Sequence, residues 1–125
     1  MSGWKQEELD AIAKDDNLYI SIPNSDGSMH KPTWIWIAQA GDDLYCRGYA
    51  GTSARWYQSA KREGSGHISV GGVEKDVRFE FPTDKKTNDQ VDEGYRQKYG
   101  GSPYLSPMIT EKARQATVRL IPANG

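Results

Sequence analysis

The sequence predicts a β-rich α+β chain: six strands in an antiparallel sheet that closes on itself, flanked by short helices. Two observations carry this. Segments dense in β-branched and aromatic residues are separated by short turn signals: "NSDGS" at 24–28, "QAGDD" at 39–43, and Gly71-Gly72. Turns of two to four residues join antiparallel neighbours, whereas parallel strands need long crossovers. Helical stretches with their own caps interrupt the strands, so the chain is not a pure β fold. No internal repeat, low-complexity segment or linker composition divides it, so residues 1–125 read as one split-free unit with a single core.

The elements follow in order. Ser2 caps a helix through Trp4, Leu9, Ile12 and Ala13, with Asn17 near its end. Its apolar face is thin, which places it on the outside of the sheet. Leu18 to Ile22 is the first strand, ended by Pro23. Lys31 to Ala38, "KPTWIWIA", is the second and the most strongly β-forming. Pro32 puts its start at an edge. Leu44 to Tyr49 is the third strand. Ser53 then caps a helix over Ala54 to Arg62, stopped by Gly64. Gly66 to Val70 and Val73 to Phe81 form a hairpin about the two glycines. Thr87 and Gln90 form a capping box that opens a helix carrying Val91, Tyr95 and Tyr99 and ending at Gly100-Gly101. Residues 102–110 are a loop or one short turn. Ala116 to Ile121 is the sixth strand.

Composition narrows the function. The chain has 125 residues, and a chain of that length buries roughly two thirds of its unfolded surface. The net charge of -1 provides no basic stripe for nucleic acid. No apolar run approaches the ~20 residues a membrane span needs, and Met1 to Asp10 has no signal-peptide pattern. One cysteine, Cys46, excludes an internal disulfide and places the chain in a reducing cytoplasm. Four Trp and seven Tyr stand against two Phe. Such side chains pair an apolar body with a polar tip, and they suit a half-wet pocket, an interface or a thin β-rich core.

The stretch "LYCRGYAGTSARWYQSAKREG", residues 44–64, runs from strand to helix through a polar, glycine-containing bend between Arg47 and Arg55. Strand alternation puts Lys31 and Thr33 on one face and Tyr45, Arg47 and Tyr49 on one face of the next strand. If the two strands are hairpin partners, these residues approach one another beside the bend. A helix N-terminus favours phosphate, Thr52 and Ser53 add hydroxyls, and Gly48 and Gly51 let backbone come close to a ligand. The competing reading is that Ser53 only caps its helix and the arginines are solvated. The residues by themselves favour this second reading. Other templates fail. There is no phosphate-binding P-loop, no dinucleotide fingerprint, no nucleophile elbow and no metal-ligand spacing among His30, His67 and Cys46.

The segment "PTWIWIAQAGDDLYCRGYAGTSARWYQSAKREGSGHISVGGVEKDVRFE", within a likeness spanning Trp4 to Pro122, resembles an uncharacterised, mostly bacterial family. That family looks like a branch of the split β-barrel flavin-binding proteins, related to pyridoxamine phosphate oxidase and the deazaflavin-dependent nitroreductases. The resemblance implies a six-stranded split barrel and a homodimer that builds its site between subunits. It implies a flavin- or deazaflavin-dependent oxidoreductase, with FMN or deazaflavin as cofactor. A non-enzymatic binding module for an anionic ligand, or an apo barrel acting through protein contacts, stands as the alternative. Carried over by position, the cofactor-binding residues are Lys31, Thr33, Arg47, Gly51, Thr52 and Ser53, with Arg55 and Trp56 matching more loosely. The chain departs from the oxidases in having no dense run of Arg and Lys on its second strand.

Overall fold

The computed structural model describes residues 4–15, 17–23, 26–28, 32–48, 50–103 and 105–123. The elements are α1 (Gln6–Ala13), β1 (Leu18–Ser21), β2 (Thr33–Ile35), β3 (Ile37–Ala40), β4 (Asp43–Arg47), α2 (Arg55–Glu63), β5 (Ser65–Val70), β6 (Val73–Glu80), α3 (Lys85–Tyr99), α4 (Glu111–Arg114) and β7 (Thr117–Pro122). Single 3-10 turns occupy Gly51–Ser53 and Ser106–Met108. All strands pair antiparallel, in the order β2-β1-β5-β6-β7-β4-β3.

The strand count corrects the sequence expectation: there are seven strands in this sheet, not six. The segment Lys31 to Ala38 is not one strand. It breaks at Trp36, with β2 on β1 (Thr33 opposite Ile20, Ile35 opposite Leu18) and β3 on β4 (Ile37 opposite Cys46). The two halves therefore sit at opposite ends of the sheet order, joined by one residue. That join brings the ends together and makes the sheet an almost closed barrel. The physical reason lies in α3. Its Tyr95 hydroxyl donates to the Trp36 carbonyl at 3.0 Å, and its Tyr99 hydroxyl donates to the Ile37 carbonyl at 2.9 Å. The Trp36 ring stacks on Tyr99 at 4.0 Å between centroids and 4° between planes. Backbone acceptors at the break are thus satisfied by tyrosines, as buried carbonyls must be.

Two clusters fill the molecule. The larger holds the alternating inward residues of the strands, among them Leu18, Ile20, Ile37, Leu44, Cys46, Ile68, Val77 and Leu120, with Leu9 and Ile12 of α1 and Trp56 and Ala60 of α2 packed against them. Each such side chain contributes about 1.5–3 kcal/mol through its burial. The smaller gathers Ala38, Tyr45, Val91, Tyr95, Tyr99 and Met108 between α3 and the β3–β4 hairpin. The expected alternation on β4 holds: Leu44 and Cys46 face one cluster, and Tyr45 faces the other. That α3 covers the second face is set by tertiary packing and carries no local signal.

Helix starts differ from expectation in three places. The α1 N-cap is Lys5, whose N–H donates to the Glu8 carboxylate at 3.0 Å; Ser2 lies outside the described residues. The α3 cap is Asp84, whose carboxylate accepts from the Thr87 N–H at 2.9 Å. That carboxylate also meets the positive end of the helix, so the helix begins before the Thr87–Gln90 box. Ser53 does not cap α2. Its hydroxyl turns back to the Ala50 carbonyl at 2.9 Å, and Ala54 takes the cap position without a side-chain bond. In the β5–β6 turn, Gly71 (φ 60°) and Gly72 (φ 80°) are both left-handed, the geometry of a two-residue hairpin.

Candidate functional site

The bend between β4 and α2 is packed against its own chain. A Cβ on Gly48 would lie 3.1 Å from the Gly51 carbonyl oxygen and 3.2 Å from the Ala54 Cβ. Gly51 is left-handed at φ 76°, and a Cβ there would lie 2.6 Å from the Lys112 Cγ of α4. Gly48 thus packs tightly against the bend itself and the start of α2, and Gly51 against α4. Thr52 and Ser53 are exposed, and the Thr52 carbonyl accepts from the Gln58 side chain at 3.4 Å.

Arg47 does not face the bend's solvent side. It is 1% exposed, and its guanidinium is enclosed by its own chain. Nε donates to Thr117 Oγ1 at 2.9 Å, Nη1 to Asp92 and to the Met108 carbonyl at 3.0 Å, and Nη2 to the Asn88 carbonyl at 3.0 Å and its Oδ1 at 3.1 Å. Asp92 is shared with Arg114 of α4, at 2.6 Å, and Arg114 also reaches Asp89 at 3.0 Å. The outer face of β4 lies beneath α3, so the arginine that read as an anion ligand is a buried structural ion pair. The pairing that brought Lys31 and Thr33 to Arg47 is also corrected: Thr33 pairs with Ile20 and Arg47 with Thr117. Lys31 lies outside the described residues.

Three of the sequence-selected residues do meet. Thr33, Arg55 and Trp56 line one cleft of about 220 Å³, together with Ile20, Ile22, Pro32 and Ser59. It lies between α2 and the β1–β2 pair. Arg55 and Ser59 are one helical turn apart, which places them on the same face. Trp56 is 9% exposed; it belongs to the core cluster and lines the cleft as well. Its ring meets Tyr57 edge-on at 6.1 Å. Among the described residues, the side chains of Thr33, Arg55 and Ser59 make no hydrogen bond or ion pair, although Ser59 is only 6% exposed. Among the described residues no buried side-chain oxygen or nitrogen is left unsatisfied, so the Ser59 hydroxyl opens onto the cleft instead of being sealed in protein. Pro32, Ile20 and Ile22 provide apolar wall. No carboxylate stands among the described residues that line the space. Ser59 was legible in principle, as the i+4 neighbour of Arg55 on a helix whose other inward residues are apolar.

A larger hollow of about 380 Å³ lies between α1, β3 and α3. Two of its polar side chains are engaged: Lys98 Nζ donates to the Asp15 carbonyl at 2.6 Å and the Ile12 carbonyl at 3.3 Å, and Gln39 donates to the Gly41 carbonyl at 2.9 Å. His67 lies outside both hollows, between Asp76 at 3.0 Å and Glu74 at 3.4 Å. The hydrogen bond that Asp76 accepts leads in raising its pKa above the usual histidine value, against partial burial. Cys46 is buried, and its desolvation pushes the thiol far above the usual range, so it is inert packing. Among the described residues no group of His, Cys, Asp or Glu could hold a metal ion, and no helix is long and apolar enough to cross a membrane.

Solved structures share this fold. The haem storage protein HutZ from Vibrio cholerae superposes with a TM-score of 0.71 at 12% identity, covering 96% of this chain and 91% of that one. A protein from Listeria innocua, provisionally assigned as a pyridoxamine 5'-phosphate oxidase, gives 0.67 at 10% identity, with 94% and 91% covered. An F420 reductase gives 0.57 at 15% identity, with 91% and 92% covered. At such identities the likeness establishes the split-barrel fold alone. No curated protein matches the chain. The sequence profile described as "Uncharacterized protein conserved in bacteria (DUF2255)" matches residues 8–120, and the chain belongs to that family.

Proposed function

We propose that this chain binds a flavin- or deazaflavin-type ligand and works as an oxidoreductase, with the cleft between α2 and β1–β2 as the seat of the ligand's anionic group. The observation that supports this is the meeting of three unpartnered polar side chains, Thr33, Arg55 and Ser59, beside the Trp56 indole. Among the described lining residues nothing else competes for Arg55. The α2 N-terminus, with no side chain capping it, adds its positive end to the same helix turn. Pockets that enclose a drug-sized ligand run to roughly 300–1,000 Å³. At about 220 Å³ this cleft accepts one end of a flavin, and the rest must lie outside it. A bound flavin-type group would supply hydride or electron transfer, and the chain would bind and orient it. Among the described lining residues no side chain ligates iron, which favours a flavin-type ligand over haem.

Titration with FMN and with a deazaflavin, followed by absorbance, tests the reading. Arg55→Ala should weaken binding at least tenfold, about 1.4 kcal/mol. A protein that binds neither ligand at high concentration ends it. Oxidation of reduced nicotinamide with a dye acceptor separates an enzyme from a binding module. We also propose a homodimer, supported by the surplus of Trp and Tyr and by two exposed aromatics, Trp34 (54%) and Tyr19 (45%), which are Cα partners across β1 and β2. Light scattering at micromolar concentration should give about twice the mass of one chain; a clean monomer removes the proposal.

A further inference from the structure

We infer that the cleft selects a singly charged oxyanion carried on a compact apolar or planar body, that is, a carboxylate or a phosphodiester, and discriminates against a phosphate monoester. This rests on the reading of the cleft as the anionic seat, and it adds which anion that seat takes. Four observations converge. Arg55 is the only ionisable group among the described lining residues. Its only polar neighbours among them are two hydroxyls, Thr33 and Ser59, and the side chains of both are uncommitted. The remaining lining, Ile20, Ile22, Pro32 and Trp56, offers apolar surface and a ring face. Arg47, whose charge would have doubled the positive count, is withdrawn into its bonds with Asp92, Asn88, Thr117 and the Met108 carbonyl.

The charge arithmetic follows. One guanidinium neutralises one negative charge and matches a carboxylate or a two-oxygen phosphate edge with a forked pair of hydrogen bonds. A phosphate monoester carries about -1.5 to -2 at pH 7. Its second charge would meet only the partial positive end of α2, and would otherwise lie against isoleucine and tryptophan, where burial of uncompensated charge is costly. A diester or carboxylate leaves no such remainder. Its apolar body also gains contact with the walls, which a free phosphate does not. Ser59 marks the inner end: a hydroxyl 6% exposed yet open to the cleft supplies a hydrogen bond but no charge. A cofactor that ends in a monoester is therefore the poorer match, and one whose anion is a diester or carboxylate is the better.

Three probes with the same phenyl body test this on the intact chain: benzoate, methyl phenyl phosphate and phenyl phosphate, each titrated calorimetrically. At pH 7.5 the first two should bind at least about tenfold tighter than phenyl phosphate. At pH 5, below the monoester's second pKa of about 6, phenyl phosphate carries one charge, and the gap should shrink to about threefold or less. Arg55→Ala should abolish the preference, and Ser59→Ala should weaken all three probes while keeping it. Arg55 is exposed and unpartnered, so its variant should keep the parent's circular dichroism spectrum and serve as the folded control. Equal or tighter binding of phenyl phosphate at pH 7.5, no binding of any probe, or a preference that survives Arg55→Ala overturns the inference. A protein that binds FMN tightly and prefers phenyl phosphate would overturn it and leave the flavin reading standing. Monoanion preference without flavin binding would do the reverse.

Discussion

Two arginines on either side of one bend show how far residue identity alone carries. Arg47 and Arg55 look alike in sequence, and strand alternation placed Arg47 on the face away from Leu44 and Cys46, as the structure has it. What alternation cannot supply is what covers that face. Asp92, Asn88 and Met108 come from 41 to 61 residues downstream, and they convert an open arginine into a buried one. The two residues should therefore separate in mutagenesis. Arg47→Ala leaves Asp92 with Arg114 but strips a buried charge of its main partner. It should cost about 3–5 kcal/mol of stability by urea unfolding. Arg55→Ala should stay within about 0.5 kcal/mol of the parent and lose ligand. An Arg47→Ala protein as stable as the parent would show the buried ion pair to be of no consequence. His67 adds a pH signature. Its pKa is raised in the fold, chiefly by Asp76, so its contribution is full below the unfolded value of about 6.5 and is lost as pH rises through the folded value. The side chain is 37% exposed, so the effect is small. His67→Gln should flatten the fall in stability between about pH 6 and 8; an unchanged slope in the variant would assign it elsewhere.

At the scale of elements, local rules located the helices and missed how they begin. Turn glycines, strand composition and the Gly64 stop were legible because each is decided within a few residues of chain. Caps were not, since several candidates lie close together and tertiary packing chooses among them. For α3 the choice was Asp84 over Thr87. Asp84→Ala should lower stability by about 1 kcal/mol, the usual value of a lost cap, and Thr87→Ala should cost less. The reverse order in thermal melts would restore the Thr87–Gln90 box. For α2, Ser53 lost the cap position because the Gly51–Ser53 turn directs its hydroxyl to Ala50. That turn depends on α4, which no sequence signal announced beyond a four-residue stretch behind Thr110. Gly51→Ala forces a side chain into a left-handed backbone and against the Lys112 stem. It should cost more than about 1–2 kcal/mol, the left-handed penalty alone. Replacing Lys112 with alanine in the same chain should recover part of the loss. No recovery would mean that the backbone, not the crowding, sets the cost.

The whole molecule turns on Trp36, and here the sequence was least informative. "KPTWIWIA" has a strand's composition from end to end, so nothing local marks a break in it. The break exists because one segment must serve both ends of the sheet, β2 against β1 and β3 against β4. Only the global closure decides where it falls, and α3 pins it by stacking Tyr99 on Trp36 and by bonding the carbonyls of residues 36 and 37. Antiparallel order, hairpin turns and flanking helices were therefore readable, and the seventh strand was not. This arrangement makes a prediction that a simple edge-strand contact would not. Trp36 is half-buried, so Trp36→Ala should cost about 2–3 kcal/mol, below the 3–5 kcal/mol of a fully buried tryptophan. Loss of the stack should loosen α3 and release the join between the two sheet ends together. Native-state hydrogen exchange should then show β2 and β3 losing protection in parallel, along with the C-terminal half of α3, while β5, β6 and β7 hold theirs. The cleft should suffer as well, because Thr33 lies on β2, and probe affinity should fall although no cleft residue has changed. If β3 alone opens and β2 keeps its protection, the two ends are held independently and Trp36 is only a packed side chain.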